Sequence, residues 1–111
     1  MTTKSGKHTL DKLFATIAAR KGADPKSSYT AKLYSSGRTK IAQKVGEEAV
    51  ELAIAAVLED RDEIVAESAD LIYHVMVLWA NAGIDPTEIY DTLAAREGQS
   101  GLDEKKARKN I

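Results

Sequence analysis

The sequence predicts an all-α protein, a helical bundle of about four helices per chain with its core completed by dimerisation. Three observations predict it. Apolar residues recur at three- and four-residue intervals through most of the 111 residues, the mark of helices with a buried stripe. No stretch alternates polar and apolar residues as a half-buried strand does. Both prolines follow aspartate, at Asp24-Pro25 and Asp85-Pro86, where they punctuate helices rather than interrupt them.

The first helix is expected from Thr9 to Arg20, where Leu10, Leu13, Phe14, Ile17 and Ala18 fall on one face. The run KGADPKSS breaks it at residues 21–28. YTAKLY, residues 29–34, reads as a short helix or an ordered loop. A long helix follows from about Thr39 to Leu58, then a polar turn from Glu59 to Asp62, then a second long helix from about Glu63 to Asn81. Ala82-Gly83 ends it. Asp85-Pro86-Thr87-Glu88 is a helix start with aspartate at the cap, proline first inside and glutamate three after the cap. That last helix carries Ile89, Tyr90 and Leu93 and stops at Gly98. Trp79, Met76 and Phe14 are expected in the core. Residues 1–8 and about 99–111 are expected as flexible arms on a single domain, the second of them basic through Lys105, Lys106, Arg108 and Lys109.

Composition narrows the function. Hydrophobic residues make up 43% and charged residues 30%, the balance of a soluble globular domain. A net charge of −1 gives no global field for nucleic acid or an acidic membrane, so neither is expected as a partner. The absence of cysteine removes disulfides, thiolate metal sites and cysteine nucleophiles together. No apolar run reaches the roughly 18 residues of a membrane span. The first ten residues lack a signal-peptide core, so a cytoplasmic location is expected.

Charge is concentrated locally. At 100° per residue, Lys40, Lys44, Glu47, Glu48 and Glu51 share one stripe of the first long helix, and Ala55 and Leu58 continue it. From Glu51 onward that helix is apolar on every side, which signals burial all round. In the second long helix Glu63, Glu67, Asp70 and His74 share a stripe bordered by Leu71 and Leu78. A short turn makes the two helices antiparallel, and the two acidic stretches then lie at the same level, about two turns either side of Asp60. Four carboxylates converging in a half-buried place repel one another unless some protonate or a cation binds. Oxygen donors with at most one histidine favour Mg²⁺, with Mn²⁺ a substitute. Arg38, Lys40 and Lys44 are candidate phosphate ligands, and Lys32 and His74 candidate substrate contacts. Each has a plainer reading. An ExxE on a helix is usually a solvated face, His74 fits equally a satisfied core histidine, and the lysines fit simple neutralisation of Glu47, Glu48 and Glu51. Gly46, which costs about 1 kcal/mol in a helix interior, is read as a place of close helix packing.

The pattern Glu47-Glu48-x-x-Glu51 followed by Glu67-x-x-Asp70 resembles the EExxE…ExxD signature of the all-α nucleoside triphosphate pyrophosphohydrolases. The wider text, SYTAKLYSSGRTKIAQKVGEEAVELAIAA with ESADLIYHVMVLWANAGI and EIYDTLAAREGQSGLDEKKARKN, is similar to the phosphoribosyl-ATP pyrophosphatase family of histidine biosynthesis from about Leu10 to Asn110. The resemblance implies a homodimer that hydrolyses the α–β phosphoanhydride of 1-(5-phosphoribosyl)-ATP with a metal-activated water. It implies Mg²⁺ on Glu48, Glu51, Glu67 and Asp70, with Glu47 the remaining acid, binding a second metal or orienting water. Glu47 or Glu51 is expected to take the proton of the attacking water as catalytic base. Three other readings compete. A pyrophosphohydrolase for dCTP, dUTP or a damaged nucleotide shares the metal site. A di-iron bundle wants Glu-x-x-His pairs that this chain lacks. A non-enzymatic helical dimerisation module treats the acids as surface charge.

Overall fold

A computed structural model describes the backbone of residues 2–98 and the side chains of residues 9–98. The described residues form five helices and no strand: α1 Thr2–Ala19, α2 Tyr29–Ser36, α3 Arg38–Val57, α4 Arg61–Ala82 and α5 Pro86–Ala95. The additional helix is α2, the stretch that reads from sequence as helix or loop. It is made locally by Ser28, whose hydroxyl accepts from the Ala31 N–H at the N-terminus. At its other end Gly37, at φ 89, lets the chain pass directly into α3, a conformation that favours glycine. The backbone of α1 is helical from Thr2, seven residues before the expected start; no proline lies there to stop it. The expected arm at 99–111 lies outside the described residues.

The α3–α4 connection is tighter than the predicted polar turn. Asp60 accepts from the Glu63 N–H and so starts α4 at Arg61. Glu59 takes the left-handed position at φ 56, and the Glu59 and Asp60 N–H groups bond back to the Ala56 and Ala55 carbonyls. At the far end of α4, Gly83 at φ 73 is the left-handed cap, with the Ile84 N–H donating to the Trp79 carbonyl. Asp85 and Glu88 close the predicted capping box of α5, which ends at Ala95, short of Gly98.

The antiparallel α3–α4 hairpin is the spine, and α1 and α2 cover one end of it. Ile17 of α1, Leu33 of α2, Ile41 of α3 and Met76, Val77 and Ala80 of α4 form the buried core, with Phe14, Tyr34, Tyr73 and Trp79 packed against them. Tyr34 donates to the Ile17 carbonyl at 2.9 Å, tying α2 to α1. Among the described residues the turn end of the hairpin has no such cover. There Val50, Ile54, Val57, Leu58, Val65 and Ile72 are 45–81% exposed. The burial on every side that the sequence predicts for this part of α3 is therefore not met among the described residues of one chain. Gly46 also differs from expectation. A Cβ added to it meets nothing within 4 Å among the described residues, so close packing against them is not its reason.

Candidate active site

The carboxylates stand where the covered and uncovered halves of the hairpin meet. Each helix delivers its acids one turn apart on the inner stripe, so antiparallel pairing brings the two sets level. Carboxylate oxygens of Glu48, Glu67 and Asp70 lie within 4.8 Å of one another. Glu48 is buried, Glu67 half-buried and Asp70 exposed, so the group opens from the interior to solvent. The Glu51 carboxyl is within hydrogen-bonding reach of that of Glu48. Glu51 and Glu67 also line an open cleft of about 280 Å³ with Glu63, Asp60 and the apolar Ile54, Ala55 and Leu58.

The electrostatics are those of crowded acids. Burial, the hydrogen bond with Glu51 and the Glu51 charge raise Glu48 above the usual carboxylate range, and the Asp70 charge adds to this. Burial and then the charges of Glu51, Glu48, Asp70 and Glu63 push Glu67 up to about 7. One oxygen of Glu48, Oε2, and one of Glu67, Oε1, are buried with no hydrogen-bond partner among the described residues. Buried acceptors are ordinarily satisfied. A cation lying between these oxygens would satisfy both and relieve the repulsion, so the residues present fit a bound metal ion.

The remaining candidates are placed around this group. Lys44 is half-buried, its Nζ 3.2 Å from Glu47 and 3.9 Å from Glu48, and the bond to Glu47 raises its pKa. Glu47 is exposed and is not one of the three grouped acids. It accepts from Gln43 Nε2 at 2.7 Å, and the bonds from Gln43 and Lys44 lower its pKa. Lys40 is exposed within electrostatic range of Glu47. Arg38 reaches across to α4, where its guanidinium donates to the Asn81 side chain and, at 3.2 Å, to the Asn81 carbonyl. Lys32 lines a separate groove of about 730 Å³ along α2 with Tyr29, Lys26 and Ser28. His74 is buried, with Nδ1 2.7 Å from the Asp70 carbonyl and Nε2 3.0 Å from the Tyr29 hydroxyl.

Two residues of this neighbourhood escape sequence reasoning. Gln43 had a signal, the i, i+4 spacing to Glu47 that pairs glutamine with an acid on a helix. Tyr29 had none, because it meets His74 across 45 residues of chain.

Fold and site together define a helical protein that presents half-buried carboxylates beside a lysine, an arrangement suited to a cation and charged oxygen groups. The chain belongs to the phosphoribosyl-ATP pyrophosphohydrolase family, whose model matches residues 10–97. It is 61% identical over 101 residues to a phosphoribosyl-ATP pyrophosphatase of Azospirillum brasilense, covering 91% of each chain. It is 58% identical to one of Paramagnetospirillum magneticum over 89% of this chain and 91% of that one. With one of Rhodospirillum rubrum the identity is 56%, over 94% of this chain and 89% of the relative.

Proposed function

We propose that this chain hydrolyses the α–β phosphoanhydride of 1-(5-phosphoribosyl)-ATP to 1-(5-phosphoribosyl)-AMP and pyrophosphate, the second step of histidine biosynthesis, in the cytoplasm. The observation that carries the reading is its similarity to proteins named for this substrate over about nine-tenths of both chains. The site supports it. Glu48, Glu67 and Asp70, joined by Glu51, would hold the cation, and an all-oxygen donor set fits Mg²⁺, with Mn²⁺ able to replace it. When bound, the cation supplies charge neutralisation at the phosphates and a lowered pKa for coordinated water.

The chain's own residues divide the remaining work. Water attacks the α-phosphorus in line with the departing pyrophosphate. Glu51 accepts the proton released from that water. It suits the task better than Glu47, whose carboxylate is already held by Gln43 and Lys44 and made less basic by them. Lys44 carries its charge at the edge of the cluster and stabilises the pyrophosphate as it leaves, with Lys40 one turn before it. Arg38 supports this from the neighbouring end of α3, after exchanging Asn81 for phosphate.

The working unit is a homodimer. A second copy covers Val50, Ile54, Val57, Leu58, Val65 and Ile72, an apolar surface that a lone soluble chain rarely exposes. It also supplies a neighbour for the open face of Gly46.

Pyrophosphate release with excess Mg²⁺ tests the reading, comparing phosphoribosyl-ATP with ATP, dCTP and dUTP. Fast release from phosphoribosyl-ATP, abolished by EDTA, is expected. Preference for dCTP or dUTP would reassign the substrate while keeping the site, and no release from any of the four would refute the enzymatic reading.

A further inference from the structure

His74 is buried, yet both of its ring nitrogens are engaged away from the carboxylates. The Asp70 carbonyl only accepts, so Nδ1 carries the proton and donates to it. In the neutral ring, Nε2 is then the acceptor and the Tyr29 hydroxyl donates to it at 3.0 Å. The tyrosine is fixed from other sides as well. Its ring stacks on Tyr73 with centroids 6.1 Å apart and stands edge-on to His74 at 5.9 Å. Tyr73 is itself held by a hydrogen bond to Thr30, the residue after Tyr29.

This ordering is unusual for an exposed side chain. Tyr29 is 51% exposed, so these contacts order a ring that half faces solvent, at a cost in side-chain entropy. Its location gives the ordering a use. The phenol is within electrostatic range of Lys44, Glu48 and Asp70. Tyr29 also lines the groove along α2 with Lys32, and about 730 Å³ is ample for a nucleoside. Tyr29 thus stands between the acids and an open groove with lysines on its walls.

We propose that His74 is a positioning residue that holds Tyr29 between the carboxylate cluster and the α2 groove, so that the tyrosine ring forms the wall against which the substrate's nucleoside portion lies. This rests on the proposed activity for its substrate, but not for the latch itself. His74 does not touch substrate; it acts through Tyr29.

Kinetics on Tyr29→Phe, His74→Leu, the double variant and His74→Gln test it. Loss of one hydrogen bond of 0.5–1.5 kcal/mol should raise KM for phosphoribosyl-ATP about 2- to 12-fold in each of the first two, with kcat within about twofold. The double variant should be no worse than the worse single, because both changes break the same link. His74→Gln keeps an acceptor and should recover most of the loss. A fall in kcat at unchanged KM for His74→Leu, or effects that multiply in the double variant, would show His74 acting directly and overturn the proposal. If His74→Leu fails to fold, Tyr29→Phe decides through the imidazole nitrogen resonances of His74. Nε2 should move to the position of a free imine nitrogen while Nδ1 stays protonated. An unmoved Nε2 resonance overturns the latch whatever the substrate, whereas absence of turnover in the wild-type protein counts only against the substrate.

Discussion

Replacing Val57 with aspartate probes the uncovered face of the hairpin. The six large apolar side chains there are 45–81% exposed, Val57 the most. At roughly 1.5–3 kcal/mol for complete burial of each, hiding their exposed share contributes about 6–11 kcal/mol per chain. Two chains gain about twice that, against an association cost of roughly 4–15 kcal/mol. The midpoints differ by about 8 kcal/mol, which corresponds to a Kd near micromolar. Val57→Asp acts twice in a symmetric dimer. Each copy loses about 1–2.5 kcal/mol of burial and adds a carboxylate whose desolvation costs more. The dimer should weaken by at least about 3 kcal/mol, more than 100-fold. Sedimentation velocity at concentrations between the two dissociation constants should find the wild type as a dimer and the variant as a monomer, with helix content retained in both. A wild-type chain that sediments as a monomer at every concentration, or a variant that sediments as a dimer unchanged, would refute the reasoning.

Three further outcomes are expected. Glu51→Gln should lower kcat by about 10²- to 10⁴-fold with helix content intact by circular dichroism, and near-wild-type turnover would remove Glu51 from the mechanism. Without divalent cation, stability should fall as pH rises from 4.5 to about 7. The unfolded Glu67 has lost its proton across that window while the folded one keeps it, so the unfolded state binds fewer protons. Thermal melts should show this slope, flattened in Glu67→Gln; in the wild type Mg²⁺ binding should release more protons at pH 6 than at pH 8, measured by calorimetry in two buffers. Glu59→Gly should stabilise the protein by up to about 1 kcal/mol, since glycine adopts the left-handed position at φ 56 without the cost glutamate bears there. A lowered melting temperature would mean that the glutamate side chain contributes more there than the left-handed conformation costs it.

What the sequence made legible was whatever depends on spacing along one helix. Glu48, Glu67 and Asp70 meet because helical period and a short turn leave little choice, and the cap of α5 is written in Asp85-Pro86-Thr87-Glu88. What it concealed depends on contacts between helices. The eight residues of α2 are too few for periodicity to declare them, and docking on α3 and α4 decides the matter. Arg38 reads as a free cation, but Asn81, far along the chain, meets it at the open end of the hairpin. His74 reads as either substrate contact or core residue, because Tyr29 is not visible as its partner. Gly46 reads as a packing position, yet the face it opens lies outside the chain's own core.

The turn at Glu59 has a consequence for how this chain tolerates change in length. It joins α3 and α4 without slack, so the rotation of α4 about its axis is set by counting from Asp60. One inserted residue there turns everything after it by about 100° and swings Glu67 and Asp70 out of reach of Glu48. The same insertion among residues 21–27 only lengthens a loop before α2. Deletions and insertions should therefore be accepted more readily on one side of the molecule and forbidden at a single hinge, which serves as the ruler of the carboxylate register.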